Sequence, residues 1–231
     1  MDALFEGAGL TLRGWRCTTV HQRRGTLVYL HGVADTRAGG AGIVERFLSR
    51  GFDVIAYDSR AHGESQGDVC TYGFFEKQDL RRVIDTAPAG PVVLLGSSLG
   101  AAVALQEAAI DARITTVVAA ETFSDLRTVA AERAPFFFSA GTIARAFTIA
   151  ERDGHFSADD VSPVRAAAHI NAPVLLIHGA DDKDTPPAHS QRVLDALAGR
   201  KRLVLVPGAR HNESLGRAWQ EVERWIDEAV P

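Results

Sequence analysis

Sulfur chemistry is nearly missing from this chain: two cysteines, Cys17 and Cys70, stand far apart, and there is one methionine in 231 residues. That spacing supports neither a metal knuckle nor a disulfide framework, and it fits a reduced, cytoplasmic setting. No His-x-x-x-His pattern or cysteine pair is present either, so no metal and no cofactor is expected. Basic runs are lacking: 25 basic residues against 29 acidic ones leave a formal charge of −4. That balance argues against nucleic acid and against an anionic membrane surface as partners. No apolar stretch approaches the ~18–20 uninterrupted residues that a spanning helix needs. The opening "MDALFEGAGLTLRGW" has an early acidic residue and no apolar core, so a secretory signal is not expected. Repeats, low-complexity tracts and Ser/Gly linkers are absent too. Residues 1–231 therefore read as one domain, a length that suits a single α/β unit with a sizeable core.

What the chain does have is alternation. The segments "TLVYLHG" (Thr26–Gly32), "FDVIAYD" (Phe52–Asp58), "PVVLLG" (Pro91–Gly96), "ITTVVAA" (Ile114–Ala120), "APVLLIHG" (Ala172–Gly179) and "KRLVLVPG" (Lys201–Gly208) are short, β-branched and bounded by Gly or Pro. Their apolar runs are continuous, as expected of strands covered on both faces. Amphipathic stretches at 41–50, 76–86, 99–109, 187–198 and 215–229 separate them. Strand-helix-strand repetition of this kind predicts a mostly parallel sheet wrapped by helices. The opening "LTLRGWRCTTVHQ" alternates and predicts an antiparallel edge strand or hairpin. One connection is far too long for a normal βα link: residues 122–169 are expected to form a small helical cap inserted over one end of the sheet.

The chemistry concentrates in "VVLLGSSLGAAVAL", where Gly-x-Ser-x-Gly joins a buried strand directly to a helix. A sharp strand-turn-helix lifts its central side chain above the sheet, and flanking glycines relieve the crowding around it. That side chain is Ser98, which also stands at a helix N-terminus that favours negative charge. A serine hydroxyl needs a base to become a nucleophile. His211 in "VPGARHNES" is the candidate, placed after the last strand and before the final helix. The base in turn needs a carboxylate to orient it. The loop "HGADDKDTPP" offers Asp181, Asp182 and Asp184, and Glu121 after "ITTVVAA" is a further candidate.

With "YLHGVAD", "YDSRAHGESQG", "LLGSSLGAAVAL", "LLIHGADDKDTP" and "PGARHNE" falling in that order, the chain resembles the α/β-hydrolase superfamily over nearly its whole length. It looks like a single-domain serine hydrolase akin to carboxylesterases, dienelactone hydrolases and prolyl-oligopeptidase-like enzymes. The resemblance implies a sheet of about seven or eight strands. It also places the family's His-Gly-x-x-Asp-x-x-(Val/Thr)-Pro pattern on His178, Gly179, Asp182, Thr185 and Pro186, which selects Asp182 as the orienting acid and His211 as the base. The oxyanion donors it implies are the backbone N–H groups of Leu99 and Val33. Val33 stands where some esterases carry a glycine, a departure that bears on bulky tertiary-alcohol esters and leaves acyl transfer intact.

The expected activity is hydrolysis of small-to-medium carboxylic esters through an acyl-enzyme. The expected partners are an ester and water, with the chain acting as monomer or homodimer. The same triad would serve an aminopeptidase-like or thioester hydrolase, or remain in a ligand-binding sensor built on a hydrolase scaffold. Phe136, Phe137, Phe138 and Phe147 are candidates for lining an acyl pocket. His31, His178, Asp58, Arg60 and His62 are read as scaffold.

Overall fold

Continuous apolar runs call for cover on both faces. The strands Gly25–Leu30, Phe52–Tyr57, Val92–Ser97, Ile114–Ala120 and Val174–Gly179 are buried almost throughout. Lys201–Val206, at the edge of the sheet, is only partly covered and leaves Leu205 exposed. A computed structural model describes residues 1–231. The chain opens with β1 (Asp2–Glu6), β2 (Thr11–Cys17), β3 (Gly25–Leu30), α1 (Ala41–Leu48), β4 (Phe52–Tyr57), α2 (Glu76–Asp85), β5 (Val92–Ser97), α3 (Leu99–Ala108) and β6 (Ile114–Ala120). There follow α4 (Leu126–Arg133), α5 (Ala140–Gly154), α6 (Pro163–Ala167), β7 (Val174–Gly179), α7 (Ala188–Ala196), β8 (Lys201–Val206), α8 (Ser214–Arg217) and α9 (Trp219–Ala229). The strands form one eight-stranded sheet in the order β1-β2-β4-β3-β5-β6-β7-β8. The β1–β2 and β2–β4 pairs are antiparallel and every other pair is parallel. The sequence predicted only part of this edge: β2 is the second strand, and β1 covers it as the outer arm of a hairpin.

Side chains of successive strand residues point to opposite faces. Val28, Leu30 and Leu94 accordingly join the core shared with α2, α3, α6 and α7, while Leu27, Tyr29, Val93 and Leu95 join the core under α1 and α9. All seven are buried, and truncating any one of the leucines to alanine is expected to cost about 2–5 kcal/mol. No helix is long and apolar enough to cross a membrane.

The register aligns the carboxyl ends of the parallel strands: Leu30 lies opposite Gly96, Ser97 opposite Ala120, Ala120 opposite Ile177, and Gly179 opposite Val206. Loops leaving one edge of the sheet are therefore brought together, the usual place for a ligand in such sheets.

Residues 122–169 do not behave as one unit. The last helix of this segment, α6, packs on α3 and α7, and its Ala167 belongs to the main core, as does Ile170 just beyond the segment. Only α4 and α5 leave the sheet layer, capped by Asp125 and Ser139, and of α5 only Gly154 is buried.

Candidate active site

The turn after β5 is where the backbone is strained. Ser98 adopts φ 50° and ψ −110°, outside the conformations a serine normally takes. Neither flanking glycine has positive φ, so their role is close approach. A Cβ on Gly96 would stand 2.4 Å from the Gly100 carbonyl, and one on Gly100 would stand 2.2 Å from the Leu30 oxygen. The glycines let α3 start directly against β3 and β5, and the serine carries the strain. Ser98 N–H donates to the Ala120 carbonyl at 2.8 Å, pinning the turn to the next strand.

The half-buried Ser98 Oγ lies 3.0 Å from His211 Nε2, and His211 Nδ1 lies 2.7 Å from Asp182 Oδ2. Asp182 is buried, and its other oxygen accepts the N–H groups of Asp184 and Thr185, each at 2.9 Å. Burial opposes its charge. The hydrogen bonds from His178, His211 and Thr185 outweigh that penalty and hold the carboxyl well below the usual carboxylate range. With Asp182 ionised, the His211 Nδ1 carries the proton toward it and Nε2 is free to accept from the serine hydroxyl. Of the other carboxylates in the acid loop, Asp181 and Asp184 are exposed and neither contacts His211.

Glu121 has a different task. Buried at φ 57°, its carboxylate accepts the N–H of Asn212 and, at 3.0 Å, that of Ser214. It holds the loop that carries His211 and does not touch the imidazole. His178 and His31 are likewise bonded within the scaffold. His178 lies between Ser190 Oγ at 2.6 Å and, on its Nε2 side, the Thr185 carbonyl at 2.7 Å and Asp182 Oδ2 at 3.3 Å, so it also braces the Asp182 carboxylate. His31 bridges the Gly32 carbonyl and Ser59 N–H. Asp58 accepts Arg37 and Glu64 N–H groups, and Arg60 pairs with Asp79 at 2.7 Å. Neither the Val33 nor the Leu99 N–H is engaged in a turn or loop hydrogen bond.

With this geometry in view, the comparison with protein families is decisive: the model of the alpha/beta hydrolase family matches residues 27–225. The chain belongs to that family. Among curated relatives of this alpha/beta hydrolase, the uncharacterised protein YqkD of Bacillus subtilis is 30% identical over 216 residues, covering 88% of this chain and 70% of the relative. The uncharacterised protein YfhR of Escherichia coli is 26% identical over 231 residues, covering 94% and 74%. An esterase of Pyrococcus furiosus superposes with a TM-score of 0.79 at 22% identity, over 99% of this chain and 90% of its own. An acetyl xylan esterase from Paenibacillus superposes at 0.76 and 20% identity, over 99% and 83%. At those identities the structures show a shared fold.

Two clefts flank the elbow of this family member. One, of about 470 Å³, is walled by Ser98, His211, Glu132, Arg133, Lys183 and Asp184. The other, of about 660 Å³, lies between α1 and α8–α9. The phenylalanines expected to line an acyl pocket line neither. Phe136 is fully exposed, Phe137 is 71% exposed and Phe138 44%. The chain turns outward after Pro135, and these rings meet one another edge-on. Phe147 packs instead on the small cluster of Phe123 and Leu126, under the Arg127 guanidinium at 4.7 Å. Cys70 packs against the main core, where burial pushes its thiol up to about 12. At that value it is not a thiolate nucleophile.

Two features went unseen in the sequence. Arg133 reaches from α4 to the Asp184 carbonyl, at 2.6 Å, and to Thr185 Oγ1, tying the excursion to the acid loop. The second is another serine-histidine contact. Ser124 Oγ lies 2.8 Å from His189 Nδ1, and His189 Nε2 lies 2.9 Å from Glu132 Oε2. No motif announces either, because both depend on where α4 packs, against the acid loop in the first case and α7 in the second.

Proposed function

We propose that this protein is a serine hydrolase of carboxylic esters acting through an acyl-enzyme. The observation that carries the reading is the continuous chain of contacts from Ser98 Oγ through His211 to the ionised Asp182. Ser98 Oγ attacks the ester carbonyl as His211 Nε2 takes its proton. The N–H groups of Val33 and Leu99 receive the developing oxyanion, and the positive end of α3 adds to that field. His211 then returns the proton to the leaving alcohol, forming the acyl-Ser98 ester. In the second half a water loses its proton to His211 and attacks that ester, and the proton returns to Ser98 as the carboxylic acid departs. Asp182 stays ionised throughout and keeps the imidazole in its tautomer. An esterase and acetyl xylan esterases among proteins of the same fold support the ester reading.

The test is hydrolysis of p-nitrophenyl acetate and butyrate. Ser98→Ala is expected to lower kcat by about 10⁴-fold or more. Equal turnover by Ser98→Ala and wild type would remove the serine from the reaction.

A further inference from the structure

Resting on the assignment of Ser98 and His211 above, we infer that the ester lies across the two clefts in a fixed sense: the acyl chain enters the cleft between α1 and α8–α9, and the alcohol occupies the cleft beneath α4. The direction follows from the proton. His211 Nε2 must return its proton to the leaving oxygen, so the alcohol lies on the side where the imidazole is exposed. His211 walls the smaller cleft and not the larger. Both clefts share Val33 and Asn212, so they adjoin at the Val33 N–H that would hold the carbonyl. Neither Ser98 nor His211 lines the larger cleft; it approaches the reacting centre through Gly32 and Ser97, and a Cβ on Gly32 would stand 3.4 Å from the Ser98 Cβ.

The linings match the two halves of an ester. In the α4 cleft Val33 is the sole hydrophobic residue. Glu132 is held by His189 and Arg192 and Arg133 by Asp184 and Thr185, and Lys183 and the Asp184 carboxylate supply charge and hydrogen bonds. That wall suits a short or hydroxyl-bearing alcohol and offers little to a long alkyl one. The larger cleft presents Ile43, Leu215 and Trp219. Its charged residues are already engaged: Arg46 pairs with Glu223 at 2.6 Å and lies 4.8 Å over the Trp219 ring, while Asp35 accepts the Thr36 N–H at 2.8 Å. At about 660 Å³ it falls within the range of small-molecule sites and accommodates a medium acyl chain. Each methylene buried there is worth up to about fourfold in kcat/KM.

Two glycines allow this cleft to be filled without strain. Gly42 on α1 and Gly216 on α8 both line it, neither has positive φ, and a Cβ on either would meet no atom within 4 Å.

The wild-type protein supplies the first test through two isomeric esters. Ethyl octanoate and octyl acetate have the same atoms, with the long chain on opposite sides of the carboxyl group. Ethyl octanoate is expected to have the higher kcat/KM by more than tenfold. Equal rates, or preference for octyl acetate, would overturn the assignment. In the second test, Gly216→Leu and Gly42→Leu are each expected to cut the ratio of p-nitrophenyl octanoate to acetate hydrolysis by at least tenfold. An unchanged ratio in both folded variants would also overturn it. These outcomes are distinct from failure of the underlying reading. That failure appears as acetate hydrolysis independent of Ser98, whereas the cleft assignment fails on its own when hydrolysis requires Ser98 but the isomer preference is absent or reversed.

Discussion

Two of the clusters that join a serine, a histidine and a carboxylate within hydrogen-bond distance invite comparison, and only one of the two has surroundings that suit a reaction. Ser98, His211 and Asp182 meet at the carboxyl edge of the sheet. Ser124, His189 and Glu132 meet where α4 approaches α7. Ser98 is half-buried, opens on a cleft, and sits in a strained turn at the start of α3 with the Leu99 N–H beside it. Ser124 is completely buried. His189 Nδ1 already accepts the Ser124 backbone N–H at 3.1 Å, so the lone pair a general base would use is occupied. The carboxylates differ as well: Asp182 is buried and fixed by two backbone N–H groups, whereas the Glu132 side chain is 35% exposed and shared with Arg192. Contact alone does not make a nucleophile. Access, a free lone pair and donors for the oxyanion do.

Breaking each cluster in turn tests that distinction. His211→Ala is expected to match Ser98→Ala, a fall of about 10⁴-fold or more in kcat for p-nitrophenyl acetate. Asp182→Asn keeps the shape but presents an amide to His211 Nδ1 and favours the wrong tautomer. A loss of about 10³–10⁴-fold is expected, measured in the same assay. Glu121→Gln turns an amide N–H₂ toward the Asn212 or Ser214 N–H and loosens the loop without touching the imidazole. A fall in kcat of about 10–100-fold is expected, with a stability loss of about 1–3 kcal/mol in urea unfolding.

In the second cluster the readout is stability. Ser124→Ala and His189→Gln are expected to keep kcat within about threefold of wild type while lowering stability by about 1–3 kcal/mol. The His189 variant also has a pH signature. Burial lowers this imidazole's pKa below the ordinary 6.5, against the pull of Glu132, with Arg192 acting in the lowering direction and Asp125 in the raising one. Unfolded chains therefore bind a proton in a range where the folded chain does not. The stability linked to His189 is complete above pH 6.5 and is lost as pH falls from there through the folded value. His189→Gln is expected to flatten that part of the decline in melting temperature between pH 7.5 and 5. The smallest effect belongs to the outward-facing rings: Phe136→Ser is expected to change stability by less than about 0.5 kcal/mol.

The contrast between clusters also marks how far sequence reading reaches. The strands were legible because burial on both faces demands continuous apolar runs. The elbow was legible because a serine between two glycines at a strand-helix junction is a local pattern. Even there the crowding that the glycines relieve was legible, whereas the positive φ that the structure places on Ser98 was not. Glu121 was visible as a carboxylate at a strand end, but its partners are N–H groups some ninety residues away, which no local pattern encodes. Phe136–Phe138 misled for a related reason. Three adjacent aromatics have no periodicity to say which way they face, and a turn after Pro135 decides it. The Ser124 cluster and the Arg133 clamp depend wholly on helix packing.

The most direct measurement is covalent. A fluorophosphonate probe reacts with a serine whose hydroxyl is activated and whose oxyanion is held, and mass spectrometry of the digested adduct names the residue. Stoichiometric label on Ser98, with none on Ser97 or Ser124 and almost none in His211→Ala, is the result expected. Label on another serine, or undiminished labelling when His211 is removed, would contradict the account.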